Sequence, residues 1–144
     1  MDKLILVLNA GSSSLKFSLF AIPGAGELQA VAVGQIEGLG TAPRLKVKDG
    51  AGKRIAEEQW DKSEVGGHAQ ALQRIAGLLR ARFQGSVLAG VGHRVVHGGP
   101  DYAAPLLVTP ASMRRLEDFI PLAPLHQPHN LAAIRAVQEV QPDL

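Results

Sequence analysis

Apolar and polar positions change rhythm twice along this chain. Leu4 to Leu8 is an unbroken apolar run, the pattern of a strand covered on both faces and therefore central in its sheet. Phe17 to Ile22 follows, closed by Pro23-Gly24-Ala25-Gly26, and Leu28 to Ile36 supplies a third strand before the punctuation of Gly38-Leu39-Gly40. Three consecutive strands predict an antiparallel meander. Arg44 to Lys48 then alternates strictly, Asp49-Gly50 stands where a hairpin turn belongs, and Lys53 to Trp60 returns. This hairpin reads as peripheral and solvent-facing.

From Ser63 the period becomes helical. Val65, Ala69, Leu72, Ile75, Ala76, Leu79 and Phe83 recur three and four apart, which predicts an amphipathic helix ending near Gly85. Val87 to Val96 reads as another buried strand that runs directly into His97-Gly98-Gly99-Pro100. Thr109 supplies an N-cap and Pro110 a first helical position, with Met113, Leu116 and Phe119 or Ile120 on one face. Pro121, Pro124 and Pro128 hold the next stretch out of helix, and Leu131, Ile134, Val137 and Val140 mark a third helix before Pro142. A meander followed by alternating helix and strand predicts a mixed sheet with helices packed on it, an α/β layer architecture.

Composition narrows the picture mainly by exclusion. At 144 residues the chain is one domain by length, large enough to bury roughly 70% of the surface of its unfolded form. With 46% hydrophobic and 19% charged residues it belongs among soluble globular proteins. No apolar run reaches the ~18 residues of a spanning helix, and Met1-Asp2-Lys3 leads straight into a strand, so the expected address is the cytoplasm and no membrane is expected. The absence of cysteine rules out a disulfide framework, a thiolate zinc site and a Cys nucleophile. A net charge of +2, scattered basic residues and 4% aromatics leave little for a nucleic-acid platform, and none is expected as a partner.

Three segments carry candidate chemistry. In Asn9-Ala10-Gly11-Ser12-Ser13-Ser14-Leu15-Lys16 an apolar strand enters a hydroxyl-rich turn and returns as a strand. Backbone N–H groups and the hydroxyls of Ser12, Ser13 and Ser14 suit anionic oxygens, Gly11 allows close approach, and Lys16 adds a point charge. A solvated hairpin loop is the plainer alternative. It is not a Walker A loop, since no GxxxxGK[ST] is present. An amide such as Asn9 at the end of a buried strand suits a turn cap, a ligand or a hydrated metal.

The second segment, Gly92-His93-Arg94-Val95-Val96-His97-Gly98-Gly99, lies around a strand's carboxyl end, where open α/β sheets place their clefts. The planar fork of Arg94 matches a carboxylate or phosphate, and strand alternation sets Val96 on its side as an apolar neighbour; a structural ion pair is the competing role. The third is Pro121 to Asn130, in which prolines fix an extended path able to present His126, whereas His129 and Asn130 belong to the start of the last helix. His126 as a mere helix cap is the alternative. A zinc site is disfavoured, because a strand holds His93 and His97 more than ~12 Å apart and no carboxylate partner is evident. A serine hydrolase is disfavoured too, for want of a G-x-S-x-G.

Together and in this order, these segments resemble the acetate kinase family, which opens with strand-N-x-G-S-S-S-x-K and later carries H-R-x-V-H-G-G. Asn9 to Lys16 and His93 to Gly99 match both patterns, and Ala123 to His126 is similar to the family's A-P-L-H. The resemblance implies a ribonuclease-H-like domain of the actin-like ATPase fold. It implies ATP-dependent phosphorylation of acetate to acetyl phosphate, with ADP as the other product, Mg²⁺ as the metal and Mn²⁺ as its substitute. By the same resemblance Asn9 helps place the metal, and Gly11, Ser12, Ser13, Ser14 and Lys16 contact nucleotide phosphates. Arg94 then holds the acid's carboxylate, Val96 and Leu125 line the pocket for its methyl group, and His126 stands near the transferring phosphoryl.

Departures qualify the match. The family's A-P-L-H is followed by asparagine, and here Gln127 stands in its place. The family's catalytic aspartate, in an F-D-T segment, falls beyond Leu144, and Asp143 does not correspond to it. The resemblance therefore implies an N-terminal domain, inactive by itself, whose second, nucleotide-binding domain is not within these residues. The parent enzyme is expected to be a homodimer. Two other readings remain open here: a propionate or butyrate kinase of the same family, and a non-catalytic phosphate- or nucleotide-binding module.

Overall fold

Six strands form one sheet in the computed structural model, which describes residues 2–24 and 26–144. They are β1 (Lys3–Ala10), β2 (Leu15–Ile22), β3 (Gln29–Glu37), β4 (Arg44–Asp49), β5 (Arg54–Gln59) and β6 (Val87–His93). The first five run as an antiparallel meander, and the sheet order is β5-β4-β3-β2-β1-β6. Helix α1 (His68–Arg82) crosses over to bring β6 parallel to β1. Two further helices follow, α2 (Pro110–Asp118) and α3 (Gln127–Val140), joined through a 3-10 turn at Ile120–Leu122. The expected mixed α/β sheet is present; Ala25, within the expected Pro23–Gly26 turn, lies outside the described residues.

Helices cover one face of this sheet. Leu4, Leu6, Leu8 and Ala10 of β1 point into a core shared with Leu72, Ile75 and Leu79 of α1 and Ala133, Ala136 and Val137 of α3. Their neighbours Ile5, Val7 and Asn9 point the other way, and Val7 is 38% exposed. The expectation that β1 is covered on both faces therefore fails in this chain. Both helices that contact the meander lie on the same side, and β1 stands next to the edge strand.

The β4–β5 hairpin is peripheral as expected, with β5 at the sheet edge, but it is not simply solvent-facing. Leu45 and Val47 are buried against Val65 and Trp60, and the Arg74 guanidinium lies 5.4 Å from the Trp60 ring. Its turn is longer than the Asp-Gly pair suggests: Asp49 Oδ1 accepts hydrogen bonds from the backbone N–H groups of Ala51 and Lys53, both at 2.9 Å. The first helix begins later than its periodicity predicts. Asp61 to Val65 form a separate turn, and Gly66-Gly67, poor helix formers, keep it apart from α1.

Around α2 the expectations hold, but the extended path expected of the prolines before α3 is absent: Pro121 lies in the 3-10 turn, and the His126 N–H donates to the Ala123 carbonyl at 3.1 Å, so successive tight turns lead into α3. Thr109 and Ser112 form a reciprocal capping box, Pro110 takes the first turn, and Met113, Leu116 and Phe119 build a second core with Leu131 and Ile134 of α3. Pro128, expected outside the helix, sits in the first turn of α3, where its missing N–H has no helical partner to lose.

Candidate active site

The parallel pairing of β1 and β6 brings their carboxyl ends, Ala10 and His93, to one edge of the sheet. The start of β2 and the end of β3 meet there as well, through the Leu15–Ile36 pairing. Between β1 and β2 the serine loop closes on itself, with the Gly11 N–H donating to the Ser14 carbonyl at 2.9 Å. A second tie comes from the Leu39 N–H, which donates to the Ser13 carbonyl at 2.9 Å. A Cβ at Gly11 would lie 2.7 Å from Ser14 Oγ, so any side chain there would turn the Ser14 hydroxyl away. Ser12 and Ser13 are exposed and Ser14 is partly buried. His68, the first residue of α1, reaches Gly11: its Nε2 is 2.6 Å from the Gly11 carbonyl.

Asn9 and Lys16 are register partners within the strands, below the loop tip that carries the serines. Both line an open cleft of about 550 Å³ on the uncovered face, with Ser18, Gln35, Lys46 and Lys48. The eight-residue segment thus divides into a hydroxyl-bearing tip and an amide–ammonium pair on the face beneath it.

The expected strand over Val87 to Val96 ends at His93. The Arg94 N–H still donates to the Leu8 carbonyl at 3.0 Å, but the next backbone groups leave the ladder. Side chains of α3 take them instead. Asn130 Oδ1 accepts from the Val96 N–H at 2.9 Å, and its Nδ2 donates to the Ala10 carbonyl at 2.9 Å. Gln127, fully buried, accepts from the His97 N–H at 3.3 Å and donates from Nε2 to the carbonyls of His97 at 2.9 Å and Leu116 at 3.2 Å. Strand geometry is lost because these amides replace it.

Exposure still alternates along this segment. Arg94 and Val96 are exposed, while Val95 packs into the second core. Among the described residues the Arg94 side chain takes part in no ion pair. His97 Nδ1 accepts from the Gly99 N–H at 2.8 Å. Gly99 has φ +60°, and a Cβ there would sit 2.5 Å from Phe119 Cε1. Gly99→Ala is accordingly expected to cost about 2 kcal/mol, combining left-handed strain with overpacking; a denaturant midpoint equal to wild type would contradict this.

His93 points inward from the end of β6. Its Nδ1 is buried without a hydrogen-bond partner, and burial pushes the imidazole down to about 4, so the ring is neutral near pH 7. His126 stands at the N-cap position of α3 without making a side-chain cap bond, and it is exposed, as is the adjacent Leu125. The rings of His68 and His129 are 5.4 Å apart. His129 is held below its usual value, first by burial and then by the charges of His68 and His126. Among the described residues no three His, Cys, Asp or Glu side chains converge as metal ligands.

Gln127 and Asn130 are the residues that sequence reasoning undervalued. Their signal was positional: at helical spacing they share the buried stripe of Leu131 and Ile134, where an amide must find hydrogen-bond partners.

A five-strand meander, a parallel strand added through a helical crossover and loops gathered at one sheet edge define a ribonuclease-H-like domain of the actin-like ATPase class. The chain belongs to the acetokinase family, a family of kinases, whose model matches residues 4–144. It is 41% identical to an acetate kinase of Methylocella silvestris, over 99% of this chain and 37% of that protein. Its fold superposes on the crystal structure of Porphyromonas gingivalis acetate kinase with a TM-score of 0.84, at 32% identity over 98% of this chain and 35% of that one. A propionate kinase from Francisella tularensis gives a TM-score of 0.83 at 29% identity, over 99% of this chain and 35% of that one. The chain therefore spans about a third of the length of these relatives.

Proposed function

We infer that these residues form the acid- and phosphate-binding domain of an acetate kinase. The reaction is in-line phosphoryl transfer: an oxygen of the acetate carboxylate bonds to the γ-phosphorus of ATP, the bond to the β,γ-bridging oxygen breaks, and ADP leaves with that electron pair. The observation that carries this reading is Arg94, a guanidinium without an ion pair among the described residues. It projects with Val96 at the sheet edge that also bears the serine loop. A fork beside a short apolar side chain suits a carboxylate with a methyl tail, and Leu125 completes the apolar lining. Ser12, Ser13, Ser14, Gly11 and Lys16 contact the phosphates, and His126 donates toward the transferring group. The work asked of the protein is positioning and neutralisation of equatorial charge.

Mg²⁺, or Mn²⁺ in its place, would neutralise the β- and γ-phosphates when bound with ATP. The cleft around Asn9 carries Lys16, Lys46, Lys48 and Arg54 and no carboxylate, a lining that suits the polyphosphate; Asn9 would offer the ion one amide oxygen, and Mg²⁺ would be held chiefly through the substrate phosphates and its waters. In this reading a second, nucleotide-binding domain completes the site, the parent is a homodimer and its compartment is the cytoplasm. Among the described residues no helix is long and apolar enough to cross a membrane.

The test joins residues 1–144 to the remaining two thirds of the Methylocella silvestris relative and assays acetyl phosphate with Mg·ATP and acetate. Turnover by the joined protein and none by the 144-residue chain alone is expected. No acetyl phosphate from the joined protein would overturn the reading, and tight Mg·ATP binding by the short chain would favour a sensor module. Propionate and butyrate in the same assay rank the acids, since one methylene is worth about 1–3 kcal/mol.

A further inference from the structure

The sheet by itself does not fix the serine loop relative to the arginine segment. The last backbone rung between β1 and β6 runs from the Arg94 N–H to the Leu8 carbonyl. Beyond it the two chains diverge, and the Ala10 carbonyl and the Val96 N–H lack a common partner in the ladder. Asn130 occupies the gap, donating to one and accepting from the other, both at 2.9 Å. It is 4% exposed, and it lies 120 residues from Ala10 and 34 from Val96 in sequence.

We propose that Asn130 is a positioning residue, an amide clasp that sets the serine loop at a fixed distance from Arg94. The proposal rests on the proposed acid kinase reading for its functional consequence. The chemistry of the clasp is specific to a carboxamide. One side chain must present a donor and an acceptor in opposite directions to two backbone groups that face each other across a widening gap. Alanine offers neither group, and an ionised aspartate offers only the acceptor. Gln127 makes no equivalent bridge: it binds His97 and Leu116 and leaves the β1 side alone. His68 fixes the other side of the serine loop through the Gly11 carbonyl, so the loop is held from α1 and from α3. Only the α3 contact reaches across to the arginine segment.

The clasp is tested in two arms. The first uses the 144-residue chain, with amide exchange and carbonyl chemical shifts measured by NMR. In Asn130→Ala the Val96 amide is expected to exchange about 10-fold to 100-fold faster, and the Ala10 carbonyl resonance to move. In Asn130→Asp the Val96 amide stays protected while the Ala10 carbonyl still moves, so this variant gives the answer even where the alanine variant fails to fold. Leu79→Ala, which empties the first core beneath the amino-terminal half of β1, lowers the melting temperature and moves neither signal. Wild-type exchange at Val96 in Asn130→Ala, or an unmoved Ala10 carbonyl in both variants, overturns the clasp.

The second arm is kinetic and uses the joined enzyme described above. Asn130→Ala is expected to raise the KM for ATP and for acetate together, whereas Asn130→Asp restores the acetate KM only. The Leu79→Ala enzyme keeps both near wild type below its melting temperature. If the wild-type joined enzyme makes no acetyl phosphate, the proposed function falls and the exchange arm still decides the clasp. Active wild-type enzyme with unchanged KM values in both Asn130 variants overturns the positioning role alone.

Discussion

Arg94→Lys, introduced into the joined enzyme, is expected to lower kcat/KM for acetate roughly a hundredfold while leaving the KM for ATP close to wild type. The guanidinium presents two parallel N–H donors to the two carboxylate oxygens, and a lysine ammonium can satisfy them only one at a time. Hydrogen bonds to a charged partner contribute about 1.5–3 kcal/mol each, so losing one with its geometry is worth roughly one to two orders of magnitude. Stability should barely change, because the Arg94 side chain is exposed and its backbone stays pinned to Leu8. A melting temperature within a degree or two of wild type, beside a large kinetic loss, separates substrate binding from folding. Wild-type acetate kinetics in this variant would remove Arg94 from the carboxylate site, and with it the observation on which the functional reading stands.

Much of the site was legible before the structure because its motifs sit where strands end, and strand ends are marked by local chemistry. Gly11 and the serines interrupt an apolar run, and Gly98-Gly99 closes another; each interruption reports a backbone that must turn or approach closely. Thr109, Pro110 and Ser112 likewise announce α2 through capping chemistry carried on adjacent residues. What local pattern does not carry is which face of a strand meets a helix. Leu4 to Leu8 is apolar at every position, yet only alternate residues reach the core, since α1 and α3 both lie on one side. The end of β6 was misplaced for a related reason. Arg94 to Val96 has strand propensity, but the Val96 and His97 backbone groups find better-placed partners in Gln127 and Asn130, more than 29 residues away. Those amides are long-range by nature. Gln127 looked like a departure within a motif, and its reach to two different backbone segments exists only in the folded chain.

Stability should fall as the solution is acidified from neutrality toward pH 4, and His93 should be the principal cause. Its folded-state value is about 4 against 6.5 for an unperturbed histidine, because the buried ring has no partner to stabilise a second proton. The native state therefore binds fewer protons than the unfolded chain between these two values. Lowering the pH through that window favours unfolding, with full stability above pH 6.5 and the loss complete below about 4. The difference amounts to about 3 kcal/mol, large beside the total stability of a small domain. His129, also held low, adds to the loss in the same direction. Asp61 works outside this range: its lowered carboxyl value, set by hydrogen bonds from Ser63, contributes stability that disappears only below 3.8. Urea unfolding at pH 7.5 and 4.5 measures the effect, and His93→Gln, which cannot titrate, should be distinctly less sensitive to pH than wild type. Equal pH sensitivity in the two proteins would mean that the folded chain accepts the proton on His93, which requires an acceptor within reach of Nδ1 that the native packing around β6 does not provide.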